Sequence, residues 1–208
     1  MKHPLTKIVS WSHELLKEVV TSGDLVVDLT AGNGYDTLLL WQLVGPDGRV
    51  VAFDIQDQAL KTTERRLLEA GAVVRWIAEE EFALNNSGVN LLAASHTEMD
   101  KYSISGAKAI IANLGYLPGG DLQLVTRPET TLVALGKACG LLAPGGRLAV
   151  VIYPGHNGGR EEAEQVDTFF QNLPDQDFHV LCLRVGNRPQ APYLQVAEKH
   201  HRERASQQ

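Results

Sequence analysis

Short apolar runs and amphipathic stretches follow one another along this chain, and they predict strand and helix in turn. Ser12–Val20 has helical apolar spacing (Leu15, Leu16, Val19, Val20), so a helix is expected over about residues 10–22, with Gly23 ending it. Leu25-Val26-Val27 reads as a strand that ends in Asp28, and Val50-Val51-Ala52-Phe53 as a second that ends in Asp54. Helices are expected near Asp36–Leu43 and Gln58–Ala70, with Gly45-Pro-Asp-Gly48 as a turn. The pattern is weakest over 71–88, where Val73–Ile77 reads as a short strand and Glu79-Glu80-Glu81 as a solvated acidic face. Val89–Ala94 then reads as a strand ending at Ser95-His96, and Ala107–Ala112 as one ending at Asn113. Thr130–Leu142 and Arg160–Asn172 are helical in pattern, and Pro144-Gly-Gly146 turns into the strand Arg147–Tyr153. His179–Val185 and Tyr193–Glu198 read as two strands joined through residues 186–192.

This alternation predicts an α/β fold with a mostly parallel sheet and helices on both faces. The last two strands fit an antiparallel hairpin. In such a sheet ligands sit beyond the carboxyl ends of the strands. The segment Asp28-Leu-Thr-Ala-Gly-Asn-Gly-Tyr-Asp-Thr37 is strand end, small-residue turn and helix start. Gly32 and Gly34 allow close approach to the backbone. Asp54, about twenty residues on, is placed to accept ribose hydroxyls. The site reads as one for a nucleoside-containing cofactor.

Two cofactor classes compete. A dinucleotide fingerprint needs a third glycine, but Thr37 stands there. Asp36 at the helix start would also repel a pyrophosphate. The spacing Asp28-x-x-x-Gly32-x-Gly34 instead resembles motif I of class I S-adenosylmethionine-dependent methyltransferases, whose Rossmann-like sheet carries a C-terminal antiparallel hairpin. Asp28 and Asp36 would then favour the ammonium of the cofactor. Ala31, Asn33 and Thr37 complete the turn.

Length and composition bound the rest. With 208 residues and 44% hydrophobic content, one domain over 1–208 with a sizeable core is expected, its tail from about 200 frayed. No apolar run approaches the ~18 residues of a membrane span, and residues 1–7 lack an apolar signal region, so a cytoplasmic protein is expected. Cys139 and Cys182 read as buried free thiols. The net charge of −6 advertises no global basic surface for nucleic acid.

Further strand ends carry polar loops. Gln56 can reach adenine or ribose, or simply face solvent at a helix start. Ser95 and His96 fall near the expected adenine edge. Asn113-Leu-Gly-Tyr116 resembles the Asn-Pro-Pro-Tyr loop of amino-group methyltransferases, with Leu114 and Gly115 in place of the prolines. In that loop the Asn side chain and a loop carbonyl accept from the target amine while the aromatic ring stacks on the base; Asn113, Gly115 and Tyr116 are the matching positions. Tyr153-Pro-Gly-His-Asn-Gly-Gly159 offers His156 to orient substrate or accept a proton. No His or Cys pair has metal-ligand spacing, so no metal is expected.

Together Asp28–Thr37, Phe53-Asp-Ile-Gln56, Ser95-His96, Asn113-Leu-Gly-Tyr-Leu-Pro-Gly-Gly-Asp121 and Tyr153–Gly159 resemble the YtqB/MnmM family over roughly residues 10–200. The resemblance implies a tRNA-modifying enzyme with S-adenosylmethionine as cofactor. It implies methylation of the 5-aminomethyl group of wobble 2-thiouridine in the anticodon loop, and a homodimer. Leu117, Gly119, Gly120, Asp121, Tyr153 and His156 fall to the substrate side. Two alternatives stay open: a methyltransferase acting on rRNA or a small molecule, and a nicotinamide or other cofactor-binding protein.

Overall fold

Val26 and Val27 lie side by side in sequence and in opposite apolar layers. Successive side chains of a strand point to opposite faces, so a strand buried on both faces is apolar throughout. The same division sends Val50 and Ala52 to one layer and Val51 and Phe53 to the other. The computed structural model describes residues 4–78, 86–115, 125–155 and 158–201. Its elements are α1 (Ile8–Lys17), β1 (Leu25–Asp28), α2 (Tyr35–Val44), β2 (Arg49–Asp54), α3 (Asp57–Glu69), β3 (Val74–Trp76) and β4 (Gly88–Ala93). A 3-10 helix (His96–Lys101) follows, then β5 (Ala107–Leu114), α4 (Pro128–Leu141), β6 (Leu142–Ile152), α5 (Gly159–Gln171), β7 (Phe178–Leu183) and β8 (Tyr193–Lys199).

The strands form one sheet in the order β3-β4-β2-β1-β5-β6-β8-β7. β1 to β6 run parallel, β8 is antiparallel to β6, and β7 closes the hairpin on β8. This is the mostly parallel, doubly covered sheet that the pattern predicts. α1, α2 and α3 cover one face through Leu16, Leu40 and Leu60. α4, α5 and the 3-10 helix cover the other through Leu135, Val166 and Met99. Chain order reverses between β1 and β5, and the crevice beyond their carboxyl ends is the switch point where such folds bind ligands.

Several boundaries differ from the sequence pattern. α1 starts earlier and ends at Lys17, because its buried stripe is Ile8, Ser12 and Leu16. Gly23 does not cap it; the Gly23 amide donates to Val44 O at 2.8 Å and ties the loop to the end of α2. Pro144-Gly145-Gly146 is not a turn before β6 but an irregular part of it, where the register against β5 shifts between Ala107 and Ala109. A Cβ on Gly146 would stand 2.7 Å from Ala107 O, so only glycine lets the strands close there.

Cys139 is buried as expected, but Cys182 is exposed: β7 is the edge strand, open from His179 to Cys182. His200 is held rather than frayed, its amide donating to Asp177 O and Nδ1 meeting Gln176 O at 3.0 Å. Residues 202–208, like Glu79, Glu80 and Glu81, lie outside the described residues.

Candidate active site

The glycine turn after β1 is built by three side-chain anchors. Asp28 is fully buried; its Oδ2 accepts from Thr37 Oγ1 at 2.6 Å and its Oδ1 from the Thr30 amide. Asp54 Oδ2 accepts the Gly32 amide at 2.8 Å, while Oδ1 accepts the Gln56 amide at 2.9 Å. Thr30 Oγ1 in turn accepts the Asn113 amide at 2.8 Å and stitches the end of β1 to the end of β5. A cavity of about 880 Å³ opens beyond these strand ends. That volume suits a cofactor together with part of a substrate.

The structure divides the expected cofactor residues into two sets. Ala31, Gly32, Asn33, Asp36, Asp54, Gln56, Ser95 and His96 line the cavity. Asp28, Gly34 and Thr37 stand behind it. The Asp28–Thr37 pair shapes the turn from inside. Gly34 has φ +78°, and a Cβ there would fall 2.8 Å from the Thr63 backbone, so its missing side chain serves the packing of α2 on α3. Ser95 caps the 3-10 helix, its Oγ accepting the Thr97 amide.

Burial sets the charges of this site. It pushes the Asp28 carboxyl up to about 7, helped by the nearby Asp36 charge. It also raises Asp54, against the pull of the backbone amides that bond it. It lowers His96, so the neutral imidazole prevails at neutral pH. His96 Nδ1 faces Leu29 O at 3.2 Å, which puts the ring proton on Nδ1. Nε2 is then a buried acceptor with no partner among the described residues.

On the substrate side, Asn113, Gly115 and Tyr153 line the same cavity. Asn113 Nδ2 donates to Asp36 Oδ2, and its Oδ1 is buried without a partner among the described residues. Burial raises the Tyr153 hydroxyl above its usual range. Tyr116, Leu117, Gly119, Gly120, Asp121 and His156 lie outside the described residues.

The chain matches the sequence model of the family described as "Putative rRNA methylase" over residues 50–199. A chloroplastic tRNA (mnm5s2U34)-methyltransferase of Arabidopsis thaliana is 37% identical over 195 residues, which is 90% of this chain and 68% of that protein. This chain belongs to the rRNA methylase family. Among solved structures, a Clostridium thermocellum protein of the same description is 40% identical with a TM-score of 0.84, over 96% of this chain and 100% of that one. A Streptococcus mutans protein described as a methyltransferase, in complex with SAH, is 33% identical with a TM-score of 0.77, over 96% and 99% of the two chains.

Sequence reasoning missed several cavity residues of this methylase. Val9 reaches it from α1, and Val125, Thr126, Arg127 and Thr130 form the wall before and at the start of α4. Buried Glu162 holds that wall, accepting Thr126 Oγ1 and Thr131 Oγ1 at 2.7 Å each. His13 meets Asp36 Oδ1 at 2.5 Å. These residues carry no local motif; only packing of α1, α4 and α5 brings them in. Among the described residues, no group of three or more His, Cys, Asp or Glu is placed to hold a metal ion, and no helix is long and apolar enough to cross a membrane.

Proposed function

We propose that this methylase transfers a methyl group from S-adenosylmethionine to the 5-aminomethyl group of wobble 2-thiouridine in tRNA. The product is the 5-methylaminomethyl nucleoside. The observation that carries the reading is Asn113: its amide lines the cavity with Oδ1 as a buried acceptor lacking a described partner. An amine N–H is the donor such an acceptor suits. The likeness to the Arabidopsis tRNA enzyme supports the same substrate.

The residues present fit the cofactor. Asp54 keeps lone-pair capacity for ribose hydroxyls beyond the bonds it accepts from backbone amides. Gly32, Ala31 and Asn33 offer a close backbone, while Gln56, Ser95 and the acceptor Nε2 of His96 stand on the adenine side. When bound, S-adenosylmethionine supplies an electrophilic methyl on a sulfonium. Asn113 Oδ1, with the second lone pair of the Gly115 carbonyl, which already accepts the Thr126 amide at 2.9 Å, then aims the amine lone pair, and positioning provides most of the acceleration. The flipped base stacks on Tyr116 or Tyr153. Leu117, Gly119, Gly120, Asp121 and His156 take the rest of the nucleotide.

RNA can approach a chain of net charge −6 because cations stand at the cavity. Arg127 lines it, and the Arg66 guanidinium lies 3.7 Å over the ring of Tyr35, itself 64% exposed at the rim. Methylation of a uracil ring carbon usually uses a Cys nucleophile, and neither Cys139 nor Cys182 lines the cavity. The partner proposed is the anticodon loop and the compartment proposed is the cytoplasm, whereas the Arabidopsis relative is chloroplastic. A homodimer is proposed as well, on the family likeness alone.

The test is incubation of purified protein and S-adenosylmethionine with tRNA carrying 5-aminomethyl-2-thiouridine, then nucleoside mass spectrometry. A gain of one methyl on that nucleoside is expected. No gain there, with methylation of ribosomal RNA instead, would replace this substrate by the one in the family description.

A further inference from the structure

A carboxylate can only accept hydrogen bonds, and Asp36 has a partner on each oxygen. His13 Nε2 stands 2.5 Å from Oδ1, and Asn113 Nδ2 donates to Oδ2. The chemistry of that second bond fixes which way the Asn113 amide faces. An amide turned the other way would set its carbonyl oxygen against the carboxylate, acceptor against acceptor. With Nδ2 on Asp36, Oδ1 is left as the free acceptor in the cavity wall.

The three residues come from three elements. Asn113 is at the end of β5, Asp36 in the first turn of α2, and His13 in α1, where it follows buried Ser12. α1 packs on β6 and β8 as well as on α2, so His13 reaches Asp36 from a helix seated on the sheet. His13 is 22% exposed at its side chain and Asp36 12%, so the pair is sheltered without being sealed. A sheltered carboxylate with one partner missing would be free to swing or to take a water. Two partners hold it in one rotamer, and that rotamer orients the amide.

We propose that His13 is a positioning residue: through Asp36 it holds Asn113 with Oδ1 turned to the amine that is methylated. The proposal rests on the amine-methylating reading above, and it adds a residue of the first helix to that site. His13 does not line the cavity, whereas Asp36 and Asn113 do. Asp36 keeps its place in the cavity wall when His13 is removed and loses only its fixed rotamer, so the effect falls on turnover far more than on cofactor affinity.

The test compares His13→Ala with His13→Gln, whose amide nitrogen can replace Nε2 as donor to Asp36. Turnover on tRNA carrying 5-aminomethyl-2-thiouridine is measured beside calorimetric affinity for S-adenosylmethionine and the nitrogen-15 spectrum of the Asn113 side-chain amide. His13→Ala is expected to lower kcat roughly tenfold, the size of one hydrogen bond to a charged group. Cofactor affinity should stay within about twofold on the same scale, the Asn113 NH2 protons should exchange faster with water, and His13→Gln should restore most of kcat. Wild-type kcat in His13→Ala would overturn the proposal. So would a cofactor affinity that falls as far as kcat, or a His13→Gln variant no better than His13→Ala. The amide spectrum separates this from failure of the substrate reading. If wild-type protein leaves that tRNA unmethylated while His13→Ala still loosens the Asn113 amide, the substrate falls and the positioning stands. If the amide is unmoved, the positioning falls whatever the substrate.

Discussion

The Gly32 amide donates to Asp54 Oδ2 at 2.8 Å, so the glycine turn after β1 hangs on the carboxylate that ends β2. One side chain thereby sets the shape of the turn and keeps acceptor capacity for the cavity it lines.

Asp54→Ala should remove both roles at once. Hydrogen bonds to charged groups contribute about 1.5–3 kcal/mol each. Affinity for S-adenosylmethionine is therefore expected to fall roughly tenfold or more, as measured by calorimetric titration. Asp54→Asn keeps one acceptor oxygen and should lose less. An unchanged dissociation constant in a folded Asp54→Ala variant would remove Asp54 from the cofactor site.

Asp28 makes stability depend on pH. Its carboxyl titrates near 7 in the fold and near about 3.9 in the unfolded chain. Between those values the folded protein keeps a proton that the unfolded chain has released. The contribution is thus full below about pH 4 and is lost as pH rises through about 7. Asp54, also raised, acts in the same direction. Asp28→Asn mimics the neutral acid and can still bond the Thr30 amide and Thr37. Urea midpoints taken at about pH 5 and about pH 8 should differ less in Asp28→Asn than in wild type. An equal or larger difference in the variant would show that Asp28 is not the group responsible.

Much of this architecture is legible from period and punctuation. Val26 and Val27, or Val51 and Ala52, read as a strand buried on both faces because both positions are apolar, and the sheet has a helical layer on each side. Strand-end positions such as Asp54, His96 and Asn113 were readable because parallel strands deliver their carboxyl ends to one edge. What escaped needs three-dimensional context. Gly34 and Gly146 look like turn residues, yet their lack of Cβ answers the Thr63 backbone and Ala107 O across the fold. Cys182 sits in an apolar run that reads as core, but β7 is the edge strand of the sheet and the thiol is exposed, with Arg184 Nε at 3.3 Å from its sulfur. Glu162 reads as an ordinary acidic residue of a first helical turn, and only its packing shows it buried beneath two threonines. His13 has no partner in sequence, since Asp36 is far along the chain and meets it only when α1 lies against α2.

The two cysteines should react differently. Cys182 is exposed on β7, whereas Cys139 is buried in α4 with its thiol pushed up to about 12. Thiolate is the reactive form, so native protein should give one reacting thiol with a water-soluble disulfide reagent and a second only on unfolding. Neither thiol touches the cavity, so alkylated protein should keep its methyltransferase activity. Loss of activity on modification of Cys182 alone would bring a thiol into the chemistry and weaken the amine reading.

Asn113 gives the sharpest division between binding and turnover. Its backbone amide is fixed by Thr30 and its side-chain nitrogen by Asp36, which leaves Oδ1 as the one side-chain atom not committed to a described partner. Asn113→Ala deletes that acceptor and leaves the turn around Gly32 and Asp54 intact. An interaction used to align the reacting amine appears in kcat; one used only to hold the cofactor appears in its dissociation constant. Asn113→Ala should thus lower kcat on tRNA carrying 5-aminomethyl-2-thiouridine by roughly tenfold to a hundredfold, with little change in S-adenosylmethionine affinity. Asn113→Asp should do worse than the loss of one acceptor, because it sets a second carboxylate against Asp36, and one of the two must then take up a proton. Single-turnover rates and cofactor titrations on both variants separate the possibilities. Full turnover in Asn113→Ala, or an Asn113→Asp variant as active as wild type, would mean that the amine is oriented elsewhere in the cavity.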